Sequence, residues 1–137
     1  PAYAVFCDEG QIGNLPAETS RMISEYGDDL IVTGDLGQLG KEVLLELARK
    51  DGLSLGGKLT DCGTLVFDNT RQDVHSGGSG CGCSAITLCG YLLDQLKSGK
   101  LNKILFCGTG ALLSPTSTQQ GLPIPGVCHA VIITGGK

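Results

Sequence analysis

Short apolar runs alternate with segments of helical period along this chain, and glycine stands at most of the changes from one to the other. Tyr3–Cys7 is rich in strand formers, Asp8–Pro16 reads as a loop, and Ala17–Tyr26 places Met22, Ile23 and Tyr26 at helical spacing. Leu30–Thr33 is a β-branched run ending at Gly34-Asp35. Leu39, Val43, Leu44, Leu47 and Ala48 then recur at three- and four-residue steps until Gly52 stops a second helix. Thr64–Phe67 reads as a third strand, and Ser84–Leu96 sets Ile86, Leu88, Cys89, Leu92, Leu93 and Leu96 on one broad helical face. Lys103–Cys107 and Cys128–Thr134 close the chain as two strands, joined by a loop, Gly108–Val127, too long for a tight hairpin. The order βαβαβαββ predicts an α/β fold. Parallel neighbours need a crossover helix, so the expected sheet is five-stranded, mixed but mainly parallel, with helices packed on it.

Composition narrows the function classes. A chain of 137 residues makes one domain, 1–137, and 41% hydrophobic against 18% charged residues excludes a disordered chain. Lys plus Arg number 10 against 14 Asp plus Glu, and no basic stripe forms, so no nucleic-acid partner is expected. The longest apolar stretches, such as Leu30–Val32 and Ala130–Ile133, fall far short of the roughly 20 residues that span a bilayer. An intracellular chain that reaches a membrane only through a partner is the expectation. The seven cysteines (Cys7, Cys62, Cys81, Cys83, Cys89, Cys107 and Cys128) include no CxxC pair and accompany only two histidines. That pattern fits neither a disulfide framework nor a zinc site; it points to a reducing compartment, small core thiols, no metal and no cofactor.

Three places could carry chemistry. The glycine-rich run from His75 to Ser84 leads into the third helix, where backbone N–H groups at Gly78, Gly80 and Cys81 and hydroxyls of Ser79 and Ser84 would suit a carboxylate or phosphate. The same glycines serve close helix-to-sheet packing equally well, with Ser79 or Ser84 as a cap. It is not a nucleotide phosphate loop, because GxxxxGK[ST] is absent. The helix dipole would lower the thiol pKa of Cys81 or Cys83, yet neither has a base in a recognisable motif. Asp35, at the carboxyl end of the second strand, either caps the next helix or orients a partner loop or ligand, and the capping role is favoured. His129 opens the last strand, where residue type favours a satisfied core histidine over a polar group reaching into a pocket; His75, in a polar turn, reads as exposed.

The runs LIVTGDLGQLGKE (Leu30–Glu42), DCG (Asp61–Gly63), SGGSGCGCSAITLCGYLLDQLKSGKLNKILFCGTGALLSPTSTQQ (Ser76–Gln120) and IPGVCHAV (Ile124–Val131) are together distinctive. They resemble the C-terminal half of the stage V sporulation protein AD family, over most of the chain from Asp28 onward. The resemblance implies a thiolase-like half, akin to the ketoacyl synthase III group, packed against a second, similar half, and a homodimer. It implies a non-catalytic subunit of the SpoVA channel complex, which moves dipicolinic acid into the developing spore and releases it in germination. Such a subunit would be peripheral on the inner membrane of the forespore or spore, docked on other SpoVA proteins.

His129 in IPGVCHAV matches the family's pocket histidine, expected to face the dipicolinate beside Gly78, Ser79, Gly80, Cys81 and Ser84. The cysteine at the synthase nucleophile's position belongs to the N-terminal half, and none of the seven cysteines takes its place. Thiolases carry Gly-His-Pro after the paired glycines, whereas Ser79–Ser84 holds no histidine, so the resemblance implies no catalytic residue here. The alternative is a split thiolase-like acyltransferase using acyl-CoA thioesters, with its nucleophile on another chain. A half-fold would also expose an apolar face that its sister half covers.

Overall fold

The structure, a computed structural model, describes residues 2–6, 29–111, 115–122 and 126–136. The expected loop 8–16 and helix 17–26 lie outside the described residues. Among the described residues there are five strands: β1 (Ala2–Phe6), β2 (Leu30–Thr33), β3 (Leu59–Asp61), β4 (Lys103–Ala111) and β5 (Gly126–Thr134). They lie in one sheet in the order β1-β5-β4-β2-β3. β2 runs parallel to both β3 and β4, while β5 runs antiparallel to both β1 and β4. The sheet is therefore evenly mixed and not mainly parallel as expected, because the last strand pairs antiparallel with both β4 and β1.

The helical segments are α1 (Gly37–Lys50), α2 (Cys62–Leu65), α3 (Cys83–Thr87), a π-helical turn (Leu88–Leu92), α4 (Leu93–Lys97) and α5 (Pro115–Gln119). One face of the sheet, with Ile31, Leu105, Cys107 and Ala130, packs on Ala48 of α1 and Leu55. The other face, with Val32 and Ile104, packs on Cys62, Cys83, Leu92 and Leu96. Strand alternation decides the sorting, since successive residues of β2 and β4 point to opposite layers.

Several expectations change in the folded chain. Thr64–Phe67 is not a strand; the third strand is Leu59–Asp61, and α2 begins at once behind it. The reason is local: the Asp61 carboxylate accepts from Thr64 N at 3.3 Å and caps the turn, which leaves Val66 and Phe67 partly exposed beside Gly78. The β4–β5 ladder runs in continuous register from Lys103↔Thr134 to Ala111↔Gly126, so it consumes both ends of the expected loop, and α5 occupies part of the rest. Gly108 and Gly110 do not stop it, because the ladder needs only backbone donors and acceptors.

α1 ends as expected: Gly52 takes φ +78 and donates to Arg49 O at 3.1 Å. At its other end Leu39 and Val43 face outward, 65% and 53% exposed, against the expected stripe. The third helix departs in the same way. Its buried positions are Cys83, Thr87, Leu92 and Leu96, and the five-residue step between Thr87 and Leu92 is the π-helical turn. One extra residue per turn rotates Ile86 and Cys89 off the buried stripe, leaving Ile86 66% exposed.

Candidate functional site

The carboxyl ends of β2, β3 and β4 converge on the glycine-rich run, and one buried carboxylate organises the meeting. Asp61 closes β3 with no exposed surface. It accepts from Thr33 Oγ1 at 2.7 Å, from Leu36 N and Gly37 N at 2.9 Å each, and from Thr64 N. Donors at the starts of α1 and α2 thereby share one acceptor at the end of β3. The cap of α1 is Asp61, not Asp35, which corrects the capping role expected for Asp35.

Asp35 instead turns toward the glycine run. Its carboxylate accepts from Ser79 Oγ and Gly80 N, each at 3.2 Å. Thr109 of β4 fixes the approach by accepting from Gly34 N at 3.1 Å and Asp35 N at 3.4 Å. The loop is also pinned twice by backbone. Gln38 N donates to Ser76 O at 2.6 Å, and Gly78 N donates to Gly63 O at 2.7 Å. Both contacts need glycine: at Gly37, φ +70, a Cβ would stand 2.7 Å from Ser76 O, and at Gly63 it would stand 2.3 Å from Gly78 O.

Of the residues expected to hold a ligand, Gly78, Ser79 and Gly80 are thus brought together, with their donors turned onto Gly63 and Asp35. Cys81 is exposed just before α3, and Ser84 is half-buried in its first turn. Neither Ser79 nor Ser84 caps α3, whose N-cap is Gly82 with no side-chain hydrogen bond. His129 lies on β5 opposite Gly108 and is exposed. Its neighbours Cys128 and Ala130 pack with the α1 layer, so alternation places His129 on the sheet face that carries α3 and α4. It shares a face with the helix that the glycine run feeds, one strand from Asp35 through the Thr109↔Cys128 pair. No hydrogen bond joins His129 to the loop among the described residues. His75 is exposed as expected, with φ 50.

The thiols at the base of the site are quenched. Burial pushes Cys62 up to about 12, helped by the Asp61 carboxylate and by Cys83. Burial also raises Cys83, with Asp35 and Asp61 adding to it, so the expected lowering at the helix start does not occur there. Because the raised value belongs to the folded state, the Cys62 contribution to stability is complete below the ordinary thiol value of 9.0 and is lost as pH climbs toward about 12. Urea midpoints at alkaline pH should therefore fall over that window, and a Cys62→Ala variant should show a shallower fall. Equal slopes for the two proteins would contradict the assignment.

Sequence reasoning missed Asp61, Thr33 and Thr109 as organisers of the site. The signal available for Asp61 was an acidic residue immediately ahead of small residues, the pattern of a helix cap; nothing local marked Thr33 or Thr109, whose partners lie 28 and 75 positions away. Among the described residues no cluster of three or more His, Cys, Asp or Glu could hold a metal ion, and no helix is long and apolar enough to cross a membrane.

Comparison with known proteins supplies the remaining finding. The family model for stage V sporulation protein AD matches residues 11–134. A curated protein of Bacillus subtilis (strain 168), named stage V sporulation protein AD, is 42% identical over 115 residues, which cover 84% of this chain and 33% of that relative. The match spans about a third of the relative's length.

Proposed function

The chain belongs to the stage V sporulation protein AD family, and from that premise we propose that it acts in sporulation as a non-catalytic binding subunit for dipicolinic acid. It serves the SpoVA channel complex in uptake during sporulation and in release during germination. The family match over residues 11–134 carries this reading. In this reading the ligand-contacting groups are His129, Gly78, Ser79, Gly80, Cys81 and Ser84; the meeting of Gly78, Ser79 and Gly80 with Gly63 and Asp35 beyond the carboxyl ends of β3 and β2, the usual ligand edge of open α/β sheets, supports it.

The chemistry of that edge sets the terms of binding. Asp35 already accepts from Ser79 and Gly80, so a ligand carboxylate reaches those donors by displacing the Asp35 carboxylate. The net charge of -4 also gives no long-range attraction for a dianion. Affinity is therefore local and modest. The protonated state that burial enforces on Cys62 and Cys83 works against an acyl-transfer nucleophile at either position, which supports binding over catalysis.

In this reading the domain is one half of a thiolase-like fold. The outward face of α3 and the π-helical turn, with Ile86 66% and Tyr91 50% exposed, is where the sister half packs. The assembled protein, as a homodimer, sits peripherally on the inner membrane of the forespore or spore against other SpoVA proteins.

Calorimetric titration of dipicolinate into the full-length protein tests the proposal. His129→Ala should weaken binding about tenfold, the scale of one hydrogen bond to a charged group, with an unchanged circular dichroism spectrum. Unchanged affinity removes His129 from the site. Absence of binding by the unsubstituted protein overturns the dipicolinate reading.

A further inference from the structure

Cys107 lies on β4 in register with Ala130, and Cys128 lies on β5 in register with Thr109. The two cysteines therefore stand diagonally across one antiparallel pair, on the same face of the sheet. Both pack into the layer under α1, where Cys107 is 7% exposed and Cys128 is partly buried at the edge of the cluster. The two sulfurs lie close enough to interact. That contact pushes Cys107 up and pulls Cys128 down.

We propose that Cys107 and Cys128 are a peroxide-sensitive thiol pair that closes reversibly into a cross-strand disulfide beneath the candidate site. Cys128, the more accessible of the two, attacks a peroxide oxygen as its thiolate: an S–O bond forms, the O–O bond breaks and hydroxide leaves. The peroxide is reduced and the sulfur is oxidised to sulfenic acid. The Cys107 sulfur then attacks the Cys128 sulfur; the S–S bond forms, the S–O bond breaks, and the Cys107 proton departs with the hydroxyl as water.

The position makes the bond labile rather than structural. Diagonal Cα atoms in an antiparallel pair stand roughly 7–8 Å apart, whereas disulfides mostly want about 4.4–6.8 Å. Closing the bond draws the two strands together, and a dithiol reductant reopens it readily. The movement reaches the site, because the register partner of Cys128 is Thr109, whose hydroxyl holds Gly34 N and Asp35 N, and Asp35 holds the glycine run.

The test is peptide mapping of the purified, fully reduced protein after treatment with hydrogen peroxide and alkylation. The expected product links the Cys107 and Cys128 peptides with the loss of two hydrogens and returns to free thiols with dithiothreitol. In Cys107→Ala, Cys128 should instead stop at a sulfenic acid that dimedone traps. The proposal fails if both thiols remain free to alkylate while the exposed Cys81 and Cys89 oxidise, or if Cys107 or Cys128 links to a different cysteine. Because the mapping uses the unsubstituted protein, its outcome does not depend on whether a variant folds.

Discussion

Replacing Asp61 with alanine should cost about 4 kcal/mol of stability, which is most of what a small domain has to lose. Four donors converge on this one carboxylate, from Thr33, Leu36, Gly37 and Thr64, and the side chain has no exposed surface. An alanine leaves Leu36 N, Gly37 N and Thr64 N without this partner, while Thr33 Oγ1 keeps Thr60 O at 3.3 Å; each orphaned buried donor costs about 1–3 kcal/mol, less than additively where neighbours relax together. Asp61→Asn keeps one acceptor oxygen but turns an amide N–H₂ toward backbone N–H groups, so about half the loss should remain. Urea denaturation reads both, with a midpoint about 2 M lower expected for the alanine variant. A shift under about 0.5 M would mean that water or a side-chain rearrangement replaces the carboxylate, and Asp61 would lose its place as organiser.

Gly63→Ala should be nearly as damaging, for a different reason. The added Cβ would stand 2.3 Å from Gly78 O and 2.9 Å from Asp61 Oδ1. The first obstacle is backbone, already tied down by the Gly78 N to Gly63 O hydrogen bond. No rotamer change relieves it, so the glycine run must move off α2. The expected loss is about 3 kcal/mol, the upper end for overpacking, together with faster amide exchange at Gly78 and Gly80. Gly56→Ala is the control. A Cβ at Gly56 would meet only Ser54 Oγ, at 3.9 Å, so alanine there should be neutral or slightly stabilising. Equal effects at Gly63 and Gly56 would dismiss the close approach as the cause.

The fold was partly legible because some of its signals are local. Leu30–Thr33 reads as a strand from its own side chains, and Gly52 ends α1 because a left-handed residue there costs glycine nothing. The helix from Cys83 to Lys97 was legible as a helix but not in its facing, since a single π-helical turn changes which residues point inward and leaves no trace in a 3.6-residue count. The third strand was misplaced by five residues. Val66 and Phe67 look like strand formers, but the Asp61 cap just ahead of them starts a helical turn instead.

The same division runs through the site. The residues of the glycine run were visible because a cluster of glycines before a helix is unusual in any chain. What they do with their hydrogen bonds was not visible. The run looked like an open cradle for an anion, and the folded chain turns its Ser79 and Gly80 donors onto the Asp35 carboxylate.

By itself, then, the sequence determined the alternation of strands and helices, the helix-ending glycine at Gly52, the unusual glycine run and the family to which the chain belongs. These follow from side-chain period, backbone permissiveness and residue identity, all properties of neighbours along the chain. Only the tertiary structure decided that the sheet is evenly mixed, that Asp61 rather than Asp35 caps α1, that Ile86 and Cys89 face outward, and that Cys107 meets Cys128. Each of those depends on which strand lies beside which and on where a donor finds its acceptor. Residues far apart in sequence supply the partners, as Gly34 and Thr109 do across 75 positions, and no local pattern encodes such a pairing.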